Sequence, residues 1–449
     1  MSKKVWYSLF ALLVISATVL SACAPAVTEA PAATEAPAAT EAPAATEAPA
    51  AGGEVEVFSW WTGGGEAAGL EAMIVVFDAE YPDITFINGA VAGGAGTNAR
   101  AVLATRLQAG DPPDSFQAHA GQEIIGTYVK SNQIEPLDDF FADSGFADVL
   151  PATLLPLISQ DGHPYSVPVN IHRSNVMWYN PSVLLDAGIA VPTTWDEFFA
   201  ACDQLLAAGT ICLSMGPAWT AMHLFENVLL GSLGVDAYNG LWTGSTDWSG
   251  PEVKAALDNY ATALFYTNSD AATLADWQPA SKLVADGDAA FNIMGDWADG
   301  YFAGDPAGNN LGLTPGTDYA WAPVPGTDGV FNFLSDSFVL PVGAKNPEGT
   351  MAFLTVAASK AGQEAFNPVK GSICARTDCD RGLFGPYLQT ALDDWSTDTV
   401  VGSLTHGVVA NDGWKSKIDT ALGLFLADKD VAAFQEALAA ACASDGACQ

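Results

Sequence analysis

The chain has 449 residues, too many for one ordinary hydrophobic core, so we expect two domains once any processed segment is set aside. Its apolar content of 49% excludes a largely disordered protein. The formal charge of −36, from 16 Lys and Arg against 52 Asp and Glu, disfavours binding to nucleic acid or to anionic lipid.

The N-terminal stretch has the pattern of an export signal. Lys3 and Lys4 precede an apolar run over residues 5–20, which ends in small residues before Cys23. A charged start, a short apolar run and a small-residue cleavage site are typical of a secretory signal peptide. The sequence Leu-Ser-Ala-Cys at 20–23 resembles the cleavage box of bacterial lipoproteins, so we expect a lipid on Cys23. A plain signal peptide with a free cysteine is the alternative.

A low-complexity segment follows, in which residues 24–53 repeat the hexapeptide Thr-Glu-Ala-Pro-Ala-Ala. It has almost no residue able to form a core, and its recurring prolines favour a disordered, partly extended tether. A lipid at one end of such a tether would hold the body at a membrane surface. We therefore expect an extracytoplasmic location, in the periplasm or on the outer face of the cytoplasmic membrane, with the lipid anchor at Cys23.

The first part of the folded body alternates between strand and helix patterns. Strands are predicted at 55–58, 84–87 and 115–119, with helices at 67–81 and 98–109 between them. This order indicates an α/β fold, a parallel sheet with helices on its faces. In such sheets, ligands bind at the turn after the carboxyl end of a strand. The first such turn carries an apolar wall and a hydrogen-bond acceptor, namely Trp60, Trp61 and Glu66. A core tryptophan pair before a flexible turn is the alternative.

The rest of the chain continues in mixed α/β order. Strands are predicted at 165–170, 176–179, 289–294, 319–323 and 334–341, and helices at 194–206, 252–266, 348–358, 362–366, 387–396 and 418–443. Thr194 and Glu197 have the spacing of a capping box, which predicts the start of a helix there.

Six cysteines besides Cys23 fall into three close pairs. In an exported protein, local disulfides are the simplest interpretation, although six cysteines allow fifteen connectivities. Zinc is a weaker alternative, because no histidine lies near these pairs and none has Cys-x-x-Cys spacing. The expected disulfides are Cys202–Cys212, Cys374–Cys379 and Cys442–Cys448.

Motifs spread over roughly residues 54–440 resemble the extracellular solute-binding proteins (family 1) of carbohydrate ABC transporters. They are similar in particular to the glucose/galactose/mannose-binding branch. The motifs are Phe58–Trp61, Gly110–Asp114, Phe116–Gly121, Val167–Tyr179, Asn292–Trp297, Leu334–Phe338, Lys370–Ser372 and Leu404–Gly407. The turn after Trp61 departs from the branch pattern by one additional residue, which leaves three glycines before Glu66.

The resemblance implies a two-lobed periplasmic-binding-protein-like fold of type II. Each lobe would be a mostly parallel sheet flanked by helices, with a hinge of crossing segments between the lobes. Lobe 1 would comprise 54–168 and 296–332, and lobe 2 would comprise 174–290 and 338–449. The chain would cross between them near 169–170, 293–294 and 334–337.

The resemblance also implies a sugar site. A sugar needs flat aromatic walls for its apolar faces and polar groups around its rim. The tryptophans that match the family's pocket are Trp60, Trp61, Trp277 and Trp297. The matching polar ligands are His119, Asp336, Lys370 and His406, with Glu66 and Gln117 added. Asn170, His172 and Arg173 are expected at a chain crossing, in a hinge or interlobe role, with contact to the ligand as the alternative. By composition alone, Lys370 would be a solvated surface residue.

The implied function is capture of a monosaccharide of the glucose, galactose or mannose type between the lobes, and its delivery to an ABC permease. The chain is then a monomer and not an enzyme, with no cofactor, metal or nucleic-acid partner. A secreted glycoside hydrolase is one alternative, which would need two carboxyl groups at a fixed separation. A binding protein for an oligosaccharide or another polar solute is the other.

Overall fold

The computed structural model describes residues 53–93 and 96–447. The predicted signal peptide, the lipidation site at Cys23 and nearly all of the predicted tether therefore lie outside the described residues. Cys448 lies outside them as well. Within the described residues, no helix is both long enough and apolar enough to cross a membrane.

Strands and helices alternate along the body much as the sequence patterns predict. The strands are β1 (Glu54–Phe58), β2 (Thr85–Asn88), β3 (Ser115–His119), β4 (Ser159–Gln160), β5 (His163–Pro164), β6 (Ser166–Pro168), β7 (Asn170–Arg173), β8 (Val176–Tyr179), β9 (Ile211–Ser214), β10 (Ala289–Ile293), β11 (Ala320–Pro323), β12 (Val330–Leu334), β13 (Asp336–Val339), β14 (Ile373–Cys374) and β15 (Thr399–Gly402). The α-helices are α1 (Gly64–Glu80), α2 (Thr97–Gln108), α3 (Asp138–Ser144), α4 (Pro181–Ala187), α5 (Trp195–Ala208), α6 (Ala218–Thr243), α7 (Pro251–Phe265), α8 (Trp277–Asp286), α9 (Trp297–Ala303), α10 (Pro347–Ala358), α11 (Lys360–Lys370), α12 (Pro386–Thr397), α13 (Asp412–Asp428) and α14 (Val431–Asp445).

Three larger sheets organise the fold. One has the strand order β2-β1-β3-β13-β6, a second has β11-β8-β10-β9, and a third has β14-β7-β12-β15. The predicted β-α-β-α-β order is confirmed in the first sheet, where β1 pairs in parallel with both β2 and β3. Strands β13 and β6 join it from later in the chain, and β13 runs antiparallel to both β3 and β6. Each larger sheet therefore mixes parallel and antiparallel pairs.

Two predicted strands are each split between two sheets. The stretch predicted at 165–170 forms β6 in the first sheet and, after Val169, leads into β7 in the third. The stretch predicted from Leu334 forms the end of β12 in the third sheet and, after Ser335, becomes β13 in the first. The alternation of apolar residues continues through the first crossing, over Val167, Val169 and Ile171, so the alternation does not reveal the change of sheet there.

Two hydrophobic cores lie on either side of these crossings. The first contains side chains of β1, α1 and β3, and the second contains side chains of α5, α6, α7 and α13. The packing differs from the expected lobe boundaries, most extensively over one segment. Residues 347–391, expected in the second lobe, pack into the first core through Phe353, Phe366 and Leu388. The reason is that β13 returns to the first sheet, so the helices that follow it cover that sheet.

Some helices differ from their predictions. The single helix predicted at 418–443 is two helices, because Lys429 adopts a left-handed conformation with φ of 60°. Asp430 then caps the second helix by accepting a hydrogen bond from the backbone of Ala433 at 3.0 Å. Helix α6 has no counterpart among the predictions. Its residues 220–230 are all buried, so it lacks the polar face on which a helical period depends.

Covalent and capping features agree with the sequence. The disulfides Cys202–Cys212 and Cys374–Cys379 are both formed, which confirms two of the expected pairs. The first joins α5 to β9. The capping box at Thr194 is confirmed as well, with Glu197 N donating to the threonine hydroxyl at 3.2 Å.

Candidate functional site

A cavity of about 300 Å³ collects residues from distant parts of the chain. Nine of the ten predicted site residues line this inner cavity: Trp60, Trp61, Glu66, His119, Trp277, Trp297, Asp336, Lys370 and His406. The tenth, Gln117, lies behind it and donates a hydrogen bond of 2.7 Å to Asp336 Oδ1. The prediction therefore identified residues that the fold brings together, although 346 positions separate Trp60 from His406.

The two tryptophans after β1 have different surroundings. Trp60 faces His119, with ring centroids 5.1 Å apart, and its backbone N–H donates to Gln117 Oε1 at 3.3 Å. Trp61 is 1% exposed and packs against the ring of Phe366, with centroids 4.8 Å apart. Trp61 therefore belongs to the first core as well as to the cavity wall, so both alternatives considered for this turn hold in part.

Asp336 is the most heavily bonded carboxylate of the cavity. Gln117 and Asn170 each donate a side-chain hydrogen bond of 2.7 Å to it, one to each oxygen. The Nε2 atoms of His119 and His172 lie 3.6 Å and 3.5 Å from its oxygens. Burial alone would raise the pKa of Asp336, but His172, His119 and Lys370 hold that pKa far below its usual range. An ionised carboxylate thus faces the cavity and can accept hydrogen bonds from hydroxyl groups.

A second charged group, opposite in sign, lines the same cavity. Lys370 is 2% exposed, and its Nζ atom lies 3.4 Å from Glu66 Oε1. The same Nζ atom lies 5.9 Å from the ring centroids of both Trp61 and Trp297, within the range of a cation–π contact. Burial raises the pKa of Glu66, and the charge of Lys370 opposes that rise. Lys370 is therefore an internal donor rather than the solvated residue that composition alone suggests.

The histidines of the cavity differ in their partners. His119 Nδ1 lies 2.7 Å from Glu123 Oε2, and His172 Nδ1 bonds to Asp296. Burial alone would lower the pKa of His172, but the carboxylate of Asp296 raises it above its usual value. His406 instead bonds through Nδ1 to the hydroxyl of Ser403 at 2.9 Å. Burial lowers the pKa of His406 well below its usual value, so this ring is neutral.

Three further aromatic or ionisable residues line the cavity and were not in the predicted site. One is His172, for which the sequence favoured a hinge or interlobe role and left contact to the ligand as the alternative. Trp219 and Asp276 line it too, and the indole Nε1 of Trp219 donates to Asp276 Oδ1 at 2.9 Å. Asp276 also accepts from the backbone N–H of Trp277 at 2.9 Å and so fixes the start of α8. The sequence carries no signal for Trp219, because it lies in the unpredicted helix α6.

Behind the cavity, His223 and Glu226 approach His406. Their potential metal-ligating atoms lie within 4.8 Å of one another. The oxygens of Glu226 already accept hydrogen bonds from the hydroxyls of Ser174 and Ser403 and from the backbone N–H of Thr405 at 2.8 Å. Burial lowers the pKa of His223 to about 3, and burial raises the pKa of Glu226. Hydrogen bonds from neutral donors within the protein therefore already engage the oxygens of Glu226 in this arrangement.

Residues 51–364 match the family described as bacterial extracellular solute-binding proteins. The chain belongs to this family. It is 33% identical over 384 residues to an uncharacterized ABC transporter extracellular-binding protein of Pyrococcus horikoshii, covering 84% of this chain and 85% of that protein. It is 35% identical over 361 residues to a probable sugar-binding periplasmic protein of Rhizobium meliloti, covering 79% of this chain and 84% of the relative. These matches confirm the resemblance found in the sequence.

Solved structures share the fold. A bacterial solute receptor described as having an exclusive preference for β-D-galactopyranose superposes with a TM-score of 0.75 at 17% identity, covering 89% of this chain and 100% of that one. A chitin oligosaccharide binding protein superposes with a TM-score of 0.73 at 18% identity, covering 86% of this chain and 97% of that one. At these identities the likeness concerns the fold alone, which is the two-lobed α/β fold of the solute receptors.

Proposed function

We propose that this chain captures a hexose of the glucose, galactose or mannose type in the inner cavity and delivers it to the permease of an ABC transporter. The observation that carries the proposal is the meeting of tryptophans and paired polar groups around one cavity. Trp60, Trp277 and Trp297 offer apolar surfaces for the faces of a sugar ring. Asp336 accepts hydrogen bonds and Lys370 donates them, as the rim of hydroxyls requires.

The size of the cavity favours a single sugar ring. Its volume of about 300 Å³ is at the lower end of the range of roughly 300–1,000 Å³ that ligand pockets span. A chain of several sugars would exceed it. The Rhizobium relative is described as sugar-binding, which agrees with a sugar as the ligand.

Closure of two lobes around the sugar would couple binding to delivery. We place the hinge where the chain changes sheets, at Val169 and Ser335, and where it leaves β10 for α9 near Met294. Relative to the expected boundaries, we assign residues 347–391 to the first lobe, because they pack in its core. The sugar must contact the closed state better than the open one for this population shift to occur.

The same proposal includes the location of the chain. A periplasmic relative and an extracellular family support a site of action outside the cytoplasm. Lipid attachment at Cys23 would then hold a monomer near the permease through the tether. Labelling with a radioactive fatty acid, with and without Cys23→Ala, tests the anchor. Equal labelling of both forms would contradict it.

Calorimetry and tryptophan emission test the sugar itself. Titration with glucose, galactose and mannose is expected to release heat and to change the emission of the cavity tryptophans for at least one of them. Xylose, an amino acid and a polyol serve as comparison solutes. A chain that responds to none of the hexoses, while remaining folded by thermal unfolding, would rule the proposal out.

A glycoside hydrolase is the second candidate, because two cavity carboxyl groups have pKa values displaced in opposite directions. The pKa of Glu66 is raised and the pKa of Asp336 is lowered. Two carboxyl groups displaced in this way can act as the acid and the base of an enzyme. Membership of a family of binding proteins favours capture without turnover. Incubation with disaccharides and nitrophenyl glycosides, followed by product analysis, decides between the two: released sugar would establish the enzyme.

A further inference from the structure

Glu123 is a buried carboxyl group that lies next to the inner cavity without lining it. It begins a short π-helix, Glu123–Val129, four residues after His119 at the end of β3. Its side chain is 2% exposed. Burying a carboxyl group is costly unless a partner compensates for the lost contact with water, so the surroundings of Glu123 indicate what it does.

The carboxyl group of Glu123 faces the ring of His119. Glu123 Oε2 lies 2.7 Å from His119 Nδ1, and both side chains are buried. Burial alone would raise the pKa of Glu123, but His119 and Arg100 hold that pKa below its usual range. An ionised carboxylate can only accept hydrogen bonds, so the ring of His119 carries a proton on Nδ1 and donates it to Glu123.

The other nitrogen of this ring lies on the side of the cavity carboxylate. His119 Nε2 is 3.6 Å from Asp336 Oδ1, and both residues line the cavity. The rings of Trp60 and His406 also contact the imidazole, with centroids 5.1 Å and 5.3 Å from its own. Such ring contacts do not distinguish a ring nitrogen from a ring carbon. Among the described residues, the short hydrogen bond to Glu123 is the contact that fixes which edge of the ring faces Asp336.

The backbone of Glu123 is tied to a second element of the site. Its N–H donates a hydrogen bond of 2.8 Å to the carbonyl oxygen of Gly407, next to His406. Gly407 has a φ of 67°, and a Cβ atom built on it would lie 2.8 Å from Glu123 Cβ. Only glycine therefore lets the loop of His406 approach Glu123 this closely. The loop in turn leaves the side chain of Glu123 little room to move away from His119.

We propose that Glu123 is a positioning residue for sugar binding, which accepts the Nδ1 proton of His119 and so directs Nε2 toward a ligand held at Asp336. This inference rests on the proposed function, since it concerns the same site. The competing role is purely structural. Glu123 Oε2 also lies 3.8 Å from Arg100 Nη1, so the carboxylate could serve only to hold α2 in place. The two roles differ in the residue with which Glu123 is energetically coupled.

The test is a double-mutant cycle, measured by calorimetric titration of the full chain with glucose, galactose and mannose. Glu123→Gln keeps the shape of the side chain and removes its charge. It is expected to weaken binding of the preferred hexose about fivefold to tenfold, because a charge-assisted hydrogen bond is about twice as strong as a neutral one. In the His119→Phe background the same change should alter affinity by less than about twofold. In the Arg100→Met background it should keep its full effect.

Glu56→Gln is the matched control. Glu56 accepts two hydrogen bonds from Arg106 of α2, at 2.5 Å and 2.7 Å, and neither residue lines the cavity. The variant therefore removes a carboxylate–arginine pair of the same helix without touching a histidine, and its hexose affinity should equal that of the unmodified chain. Glu123→Asp, which withdraws the carboxylate by one methylene group, is a second variant in case Glu123→Gln does not fold. It should weaken hexose binding as well.

NMR spectroscopy of the isotope-labelled chain without sugar gives a measurement that packing alone does not change. The proton on Nδ1 of His119 should give a ring N–H resonance far downfield in the unmodified chain. His119→Phe should lack this resonance, which assigns it. Glu123→Gln should shift it upfield, because the acceptor loses its charge, and Glu56→Gln should leave it unchanged.

The outcomes separate this inference from the proposed function. If the unmodified chain binds a hexose but Glu123→Gln binds it equally well, or loses as much affinity with His119→Phe as without it, the positioning role is wrong and the proposed function stands. A loss that disappears in the Arg100→Met background assigns Glu123 to the support of α2 and also overturns the inference. The same holds if no ring N–H resonance depends on Glu123. Failure of every hexose to bind the folded chain removes the proposed function together with this inference.

Discussion

Two groups of buried histidines lie at or behind the cavity and differ in their partners, although they are equally buried. In the first group, His119 and His172 lie beside Asp336, whose pKa is held far below its usual range. In the second, His223 and His406 approach Glu226, and burial lowers the pKa of both rings and raises that of the carboxyl group. All six side chains are at most 4% exposed.

The difference arises from the partners, because burial opposes charge in both groups. His172 has its own carboxylate, Asp296, in addition to Asp336, so opposite charges support one another. Glu226 receives two hydroxyls and one backbone N–H, which are neutral donors. The first group thus presents an ionised carboxylate to the cavity, and the second combines two neutral rings with a carboxyl group that accepts from neutral donors. The predictions below test this division.

The largest effect is expected from Asp336→Asn, which keeps the shape of the side chain and removes the central charge. The ring of His172 and the cation of Lys370 lose a partner, and breaking a buried pair costs about 3–5 kcal/mol. Hexose affinity should fall on the order of 100-fold, since a buried charged hydrogen-bond acceptor contributes about 2–5 kcal/mol. Calorimetry and urea unfolding measure the two quantities.

Asp299→Asn is the control for this substitution. Asp299 is also a buried carboxyl group, accepting from Tyr319 Oη at 2.6 Å, but burial raises its pKa to about 7 and it does not line the cavity. The hexose affinity of Asp299→Asn should equal that of the unmodified chain. If both variants lose binding equally, the loss reflects unfolding rather than the charge of Asp336.

The pH dependence of stability is the second test. Because the pKa of His223 falls to about 3 in the folded chain, the unfolded chain binds the extra proton at mildly acidic pH. Stability from this residue is present above the unfolded pKa of about 6.5 and declines as the pH falls toward the folded value. Between pH 7 and pH 4 the decline is about 3 kcal/mol.

The variant His223→Gln isolates this contribution, since it has no proton to gain. Its free energy of unfolding should fall less between pH 7 and pH 4 than that of the unmodified chain, as measured by urea titration at each pH. His163→Gln is the matched control, because His163 is exposed and bonds to Asp138 at the surface. Parallel pH curves for the unmodified chain and His223→Gln would show that His223 is charged in the fold.

Lys370→Met is expected to have an intermediate effect. It removes the donor that faces Glu66, but the raised pKa of Glu66 lets this carboxyl group take up a proton instead of remaining an unpaired charge. We expect a loss of about 1–2 kcal/mol in stability and of about tenfold in hexose affinity. Lys282→Met, which breaks an exposed i,i+4 pair on α8, should change stability by less than about 0.5 kcal/mol. If Lys370→Met loses as much hexose affinity and stability as Asp336→Asn, the difference proposed between the carboxyl groups of Glu66 and Asp336 is wrong.

The sequence predicts the first group of histidines and Asp336 better than the second group, for a physical reason. His119 and Asp336 lie at the ends of strands, where period-two patterns are readable and motifs of the family accumulate. His223 and Trp219 lie in α6, whose continuous burial leaves no helical period to read. The same limit applies at Val169, where apolar alternation continues while the chain changes sheets. The residues of the second group, His223, Glu226 and His406, meet because the fold brings distant segments together, and no local sequence pattern shows this.

Ser403→Ala is expected to have the smallest effect. The hydroxyl of Ser403 lies 2.9 Å from both Glu226 Oε2 and His406 Nδ1, so it fixes which nitrogen of His406 carries the proton. Its loss removes neutral hydrogen bonds only, at a cost of about 1–2 kcal/mol in stability. Hexose affinity should decrease about threefold, because His406 then samples both tautomers. Ser403→Thr, which restores a hydroxyl, should recover part of that affinity if the hydroxyl at this position orients the ring of His406. An effect of Ser403→Ala as large as that of Asp336→Asn would mean that the second group carries charge, and the division between the two groups would fail.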